Sequence, residues 1–284
     1  MPSTSPRRRT GPPGSPETLE LLRLRAAHPE LAPAIDLQRE LLEIQRRVLP
    51  RIPLPPRLLT QPAPTWRADG TALIVFEDLP LDWTDFRWLV RETADLLRRF
   101  DELPADAARR LLKLSREGGE LQDLAERWFR TRVSPKLDPA GTVPAEYDSV
   151  FALAFRPYLV RCAAALGPRL ALDTWQRGTC PVCTGEPELA VLAVQPERTL
   201  VCGRCSLRWP HDPPRCPFCG NADGATIRTL ASPDRVYWLM ACDVCRRYLK
   251  AYDERHGGRP AMPPVDTIAT LGLDAVALQR GYRG

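Results

Sequence analysis

Eight of the nine cysteines in this 284-residue chain lie between Cys180 and Cys245, as four pairs that each enclose two residues. The pairs are Cys180/Cys183, Cys202/Cys205, Cys216/Cys219 and Cys242/Cys245, separated by 18, 10 and 22 residues. One such pair could be a redox dithiol, but four within 66 residues ask for metal. Two residues between cysteines let a tight turn bring both sulfurs to one ion, with the turn's amides aimed at the thiolates. Two such turns joined by a hairpin complete a tetrahedron of four sulfurs, a geometry that suits iron and zinc alike. The donor set does not choose between them. Disulfides fit less well, because residues 1–16 carry an arginine run with no apolar stretch behind it, and so no readable export signal.

Pairing in chain order gives one group of Cys180, Cys183, Cys202 and Cys205 and a second of Cys216, Cys219, Cys242 and Cys245. Each group then closes a loop with strand-like stretches, at 189–194 and 199–201 in the first and 225–230 and 236–240 in the second. An interleaved pairing, first with third and second with fourth, stays open and would need a cross-brace. Gly220 follows Cys219 directly, where a left-handed residue helps the turn close. Thr184 holds that place after Cys183 and predicts a slightly different turn. His211 is an alternative ligand, although eight sulfurs already fill two tetrahedra, and otherwise reads as a loop residue.

No other chemistry is legible. His28, His211 and His256 are the only histidines, and none stands beside a cysteine or serine as a nucleophile–base pair would require. There is no triad, phosphate loop or paired-carboxylate motif, so the expectation is a protein that is not an enzyme. Cys162 lies on a line with Phe151, Ala154 or Phe155, and Leu159, which reads as a buried, inert thiol.

The net charge of +5 divides into 27 basic against 24 acidic residues through residue 178 and 13 against 11 beyond it. Arg7, Arg8 and Arg9 account for the first surplus. A surplus of two over the last 106 residues is a poor footprint for nucleic acid, leaving only a local patch around Arg246, Arg247 and Lys250 open. Composition is that of an ordinary soluble protein, at 44% hydrophobic and 26% charged residues. No apolar run approaches the roughly 20 residues of a membrane span. The expectation is a cytoplasmic protein with no membrane insertion.

The elements that must position the cysteines follow from caps and stripes. Residues 1–14, rich in Pro, Ser and Arg, read as a disordered tail. Ser15, Pro16 and Glu17 start a helix that ends near Pro29. Ala34, Leu37, Leu41, Ile44 and Val48 form the stripe of a second, which prolines at 50–56 stop. A short strand is possible at 71–76. Asp82 starts a helix with Phe86, Leu89, Val90, Thr93, Leu97 and Phe100 on one face. Further helices are expected at 105–117, closed by Gly118 and Gly119, at 120–131, and at 147–166, where Pro157 should kink or split the helix. The result is a helical bundle over 15–178, followed by the cysteine-bearing domain at 179–284.

The order of residues from 177 onward, Arg-Gly-Thr-Cys-Pro-Val-Cys, then Leu-Val-Cys-Gly-Arg-Cys at 200–205 with Trp209 and Arg215 before Cys-Pro-Phe-Cys-Gly, then Cys-Asp-Val-Cys with Tyr248, Leu249 and Lys250, resembles the formate dehydrogenase accessory protein family, FdhE. The closing segment with Leu271, Leu273, Asp274, Gly281 and Tyr282 is also similar to that family's terminal helix. The resemblance is specific over 177–284 and weaker over the helical part. It implies a multidomain α+β protein: an N-terminal helical domain, two tandem rubredoxin-like (zinc-ribbon-like) metal-binding modules and a C-terminal helix. It also implies a cytoplasmic maturation factor that binds the catalytic subunit of respiratory formate dehydrogenase before export. A rubredoxin-like protein that donates electrons to that enzyme's cofactor is the alternative, with a nucleic-acid-binding zinc ribbon behind it.

Overall fold

Helix caps and apolar stripes organise the first half of the chain as the spacing predicts. The computed structural model describes residues 14–60, 70–117, 119–133, 143–193 and 198–284, so the disordered tail expected at 1–14 falls, Gly14 apart, outside the described residues, as does Gly118. Helix α1 (Pro16–Ala27) begins at Ser15, whose hydroxyl accepts the Thr18 N–H at 3.3 Å. Helix α2 (Ala32–Val48) buries Ile35, Leu41, Ile44 and Val48, and the short α3 (Pro56–Thr60) follows the prolines. Asp82 caps α4 (Trp83–Arg99) by accepting from the amides of Thr84 at 2.8 Å and Asp85 at 3.0 Å. Helices α5 (Ala105–Glu117) and α6 (Gly119–Val133) come next.

Helix α7 (Asp148–Leu166) is the hub, packed against α2, α3, α4 and α6. Trp128 stacks on Phe155 at 5.3 Å between centroids, and Phe155 lies 4.7 Å from Phe86. Cys162 is fully buried in this core. Burial pushes its thiol up to about 12, consistent with an inert packing residue. Pro157 does not split the helix. A proline cannot donate to the carbonyl four residues earlier, here Leu153, and the Gln45 side-chain amide of α2 donates to that oxygen instead, at 3.1 Å. With its flanking turns the segment Ala145–Arg169 is long and apolar enough to cross a membrane, contrary to the sequence reading. In the fold, 61% of its apolar window is buried inside the protein.

Residues 71–76 are not a strand. The amides of Leu73 and Ile74 donate to the carbonyls of Pro181 and Val182 at 3.1 and 3.3 Å, so this segment pairs with a cysteine turn rather than with a sheet edge.

Among the described residues six strands follow: β1 (Pro187–Leu192), β2 (Arg198–Cys202), β3 (Arg208–Pro210), β4 (Ile227–Ala231), β5 (Tyr237–Cys242) and β6 (Tyr248–Asp253). They form one sheet in the order β3-β2-β1-β6-β5-β4. Two antiparallel three-stranded units, β1–β3 and β4–β6, thus join edge to edge through a parallel pairing of Ala190, Val191 and Leu192 with Ala251, Tyr252 and Asp253. Strand β6 was not predicted, because Lys250 and Asp253 interrupt its apolar pattern. Both are buried with partners: Lys250 Nζ lies 2.6 Å from Asp274, and Asp253 accepts from Arg255 at 2.6 and 2.8 Å.

The C-terminal segment forms α8 (Glu254–Gly257), α9 (Pro263–Ala269) and α10 (Leu271–Gln279), with a break at Thr270. Helix α9 returns to the start of the chain, where Val265 packs with Leu21 and Ile35. Arg259 bridges Asp266 at 2.6 Å and Glu20 at 3.4 Å. One hydrophobic core is continuous from Phe86 and Phe155 through Cys180, Leu200 and Trp209 to Leu249.

Candidate metal centres

All eight paired cysteines come together in chain order, and the interleaved alternative is not the one adopted. In each group of four, the Sγ atoms lie within 4.8 Å of one another. The separations are 3.5 Å for Cys180–Cys205 and Cys183–Cys202, 3.7 Å for Cys216–Cys245 and 3.8 Å for Cys219–Cys242. A tetrahedral ion with thiolates at about 2.3 Å has sulfur–sulfur edges of about 3.8 Å, so both groups fit such an ion, and neither approaches a disulfide. Each could hold a metal ion, and an all-sulfur set suits iron or zinc.

A single backbone pattern builds all four turns. The first cysteine's carbonyl accepts from the residue four places on, at 2.9 Å from Thr184, 3.1 Å from Ser206 and 2.9 Å from Gly220 and Arg246. Its amide donates to the carbonyl five places on, in Gly185, Leu207, Asn221 and Arg247. The fourth residue is left-handed every time, with φ of 54° at Thr184, 60° at Ser206, 76° at Gly220 and 58° at Arg246. The turn at Thr184 is therefore the same as the others, not the variant predicted. The penalty for a side chain there, about 1–2 kcal/mol each, is met three times. Gly185 has a different reason to be glycine: a Cβ there would sit 2.7 Å from Cys202 Sγ.

Polar groups aim at the sulfurs. The Arg204 amide lies 3.4 Å from Cys202 Sγ, and Asn221 Nδ2 lies 3.6 Å from Cys242 Sγ. Burial raises the thiols of Cys180 and Cys205 well above the ordinary value. At Cys202 the same burial is outweighed by hydrogen bonds from the other three cysteines, and the thiol is lowered. In the second group burial pushes Cys216 up to about 12, while at Cys242 the amides of Cys245 and Val244 outweigh burial and bring it down to about 7.

His211 belongs to neither group. It is buried beyond β3, and its Nδ1 meets Arg198 Nη2 at 2.6 Å. Burial and the neighbouring Arg198 and Arg215 lower its pKa to about 4. Arg198, missed in the sequence, is a buried guanidinium that also donates to the carbonyls of His211, Asp212 and Arg215. The suspected cationic patch is engaged throughout. Arg246 lies over the Tyr282 ring, Arg247 over Phe218 while paired with both oxygens of Glu186, and Lys250 is buried on Asp274.

A helical body joined to one sheet that carries two tetrathiol groups defines a class: a helical protein with a double-hairpin sheet that could hold two metal ions. No family model matches the chain. It is 28% identical over 115 residues to a protein FdhE homolog of Aquifex aeolicus, covering 39% of this chain and 40% of that one. It is 30% identical over 130 residues to a protein FdhE homolog of Actinobacillus pleuropneumoniae, covering 44% and 42%. The chain thus spans about two fifths of the length of the curated relatives it matches. Its fold is similar to the crystal structure of the FdhE protein from Pseudomonas aeruginosa, with a TM-score of 0.63 and 21% identity, over 94% of this chain and 91% of that one. The chain is thus similar to FdhE homologs over about two fifths of their length and, in fold, to an FdhE protein over nearly the whole chain.

Proposed function

We propose that this chain is an accessory factor in the maturation of formate dehydrogenase, a binding protein rather than an enzyme, acting in the cytoplasm on the catalytic subunit before its export. The observation that carries the reading is the presence of two four-cysteine groups on one sheet, in a fold that follows an FdhE protein over nearly its whole length. Residues 15–178 form the helical body and residues 179–284 the metal-binding body. Cys180, Cys183, Cys202 and Cys205 hold one ion, and Cys216, Cys219, Cys242 and Cys245 the other. Bound iron or zinc would supply the charge that lets four thiolates share one site. The chain's own residues do the rest: the turns aim amides at the sulfurs, and the Leu73 and Ile74 amides clamp the first turn to the helical body.

Tagged protein purified from cells respiring on formate should retain a formate dehydrogenase catalytic subunit. A chain carrying Cys216→Ser and Cys219→Ser should fail to restore formate dehydrogenase activity in a deletion strain. Full rescue would sink the role assigned to the second group. The electron-donor reading is favoured by one feature, the exposure of Cys219. It predicts that iron is required, so a colourless, zinc-loaded protein that still rescues activity excludes it. Binding to nucleic acid is not expected, and a steep salt-dependent affinity would overturn that expectation.

A further inference from the structure

The two groups share ligands, turns and spacing, yet their surroundings differ. All four cysteines of the first group are buried, whereas in the second Cys219 is exposed and Cys245 half-exposed. The first four are members of the main core, together with Phe155, Leu200 and Trp209. Among the described residues, none of the second four belongs to a hydrophobic cluster.

Hydrogen bonds to the helical body divide the same way, although in the third turn Pro217 abuts Gly178 and Phe218 packs against the main core. The first turn is bonded to Leu73 and Ile74, and the second turn is held by Arg156 of α7, which donates to the Gly203 carbonyl and, at 3.0 Å, to the Ser206 hydroxyl. The fourth turn is strapped to the end of the chain instead. Arg283 donates to the Arg246 carbonyl at 2.8 Å, and the Tyr282 hydroxyl to Asp243 at 2.5 Å. Between its cysteines Val244 is 62% exposed.

From these contrasts we infer that the second group is an exchange site, which releases and takes up its soft divalent ion from solution while the first group keeps its own. The inference rests on the reading of both groups as metal sites. Exchange begins when an incoming chelator reaches the ion and bonds to it as a thiolate lets go, and the open side at Cys219 and Cys245 offers that approach. The buried sulfurs of the first group do not. Reaching them requires the cysteine turns to part from the helices, exposing Val182 and Ile74, which slows opening on the order of a hundredfold. Two sites of one design then have two duties, one holding the sheet to the helices and the other responding to the metal and thiol chemistry around the protein.

The test uses the full chain loaded with two equivalents of zinc and challenged with a chromophoric zinc chelator. At each time point iodoacetamide is added and the labelled cysteines are located by mass spectrometry. The expected result is two phases of about one equivalent each, separated at least tenfold in rate, with Cys219 and Cys245 labelled in the fast phase and Cys180, Cys183, Cys202 and Cys205 only in the slow one. Release of both ions in a single phase, or earlier labelling of the first group, overturns the inference while leaving both metal sites in place. A chain that takes up no zinc overturns the reading of the two groups, and the inference with it.

Discussion

Gly185→Ala should weaken metal binding at the first group while leaving the second untouched. The added Cβ would lie 2.7 Å from Cys202 Sγ and 3.2 Å from Arg204 Cγ and Cδ. Ordinary contact begins near 3.5 Å, so the sulfur must retreat by about 1 Å. The Arg204 stem is flexible and can swing away. The sulfur cannot, because it is fixed 3.5 Å from Cys183 by the geometry of the group. Overpacking of this size costs about 1–3 kcal/mol, which lowers affinity for one ion roughly 10- to 100-fold. Cobalt(II) titration against a competing chelator, read by thiolate-to-cobalt absorbance, resolves two equivalents and shows which has weakened. Gly220→Ala is the matched control. Among the described residues nothing lies within 4 Å of its Cβ, so its left-handed φ of 76° decides, and the loss of about 1–2 kcal/mol should fall on the second group. Two equivalents of undiminished affinity in Gly185→Ala, or an equal loss from both, would refute the steric argument.

Three further outcomes follow from the rest of the fold. Gln45→Leu leaves the Leu153 carbonyl opposite Pro157 without its donor and should cost about 1–2 kcal/mol in urea unfolding, with metal content unchanged. Asp266→Ala removes a fully buried carboxylate that takes bonds from Arg259, Tyr237 and the Met262 amide; it should cost about 3–5 kcal/mol and loosen α9 from α1, seen as faster amide exchange in both helices. His211 has its pKa lowered from 6.5 to about 4, so the unfolded chain takes up the proton first, and stability falls as pH drops from about 6.5 towards 4. His211→Gln should flatten that part of the profile; identical slopes for the two proteins at pH 7 and pH 5 would exclude the histidine as their source.

The cysteine turns were legible because a metal-binding turn is a local object: two residues between sulfurs, a left-handed residue next, a hairpin to close the loop. The helices were legible for a similar reason, since Ser15 and Asp82 cap them and apolar stripes run down one face. What the sequence concealed is non-local. Lys250 and Asp253 make β6 look polar until Asp274 and Arg255 supply their partners from elsewhere in the chain. Pro157 reads as a helix breaker until Gln45, 108 residues from Leu153, replaces the missing bond. The stretch at 71–76 has a strand's composition, yet its partner is a turn, whose two available carbonyls are too few to make a sheet edge. Arg198 gave no signal at all, because a lone arginine in a strand looks like any exposed cation until burial and four acceptors identify it.

The placement of the sulfurs also explains how the sheet finds its register. Cys202 ends β2 and faces Pro187 of β1, and Cys242 ends β5 and faces Ile227 of β4. Each group of four therefore sits at the end of an antiparallel pair, where closing it fixes which residues lie opposite. Register is critical here because β1 is covered on both faces. Ala190 points into the main core, whereas Leu189 and Val191 pack with Val201 and Tyr252 in a separate cluster on the other side. A slip of one residue would exchange these sets, driving larger side chains against the helices and leaving a gap beneath Tyr252. Apolar residues alone discriminate weakly, since both faces are apolar. Four sulfurs that must meet within a tetrahedral edge of one another discriminate strongly. The cysteine turns thus favour one pairing of β1 with β2, and that pairing presents the edge of β1 on which β6 adds in parallel.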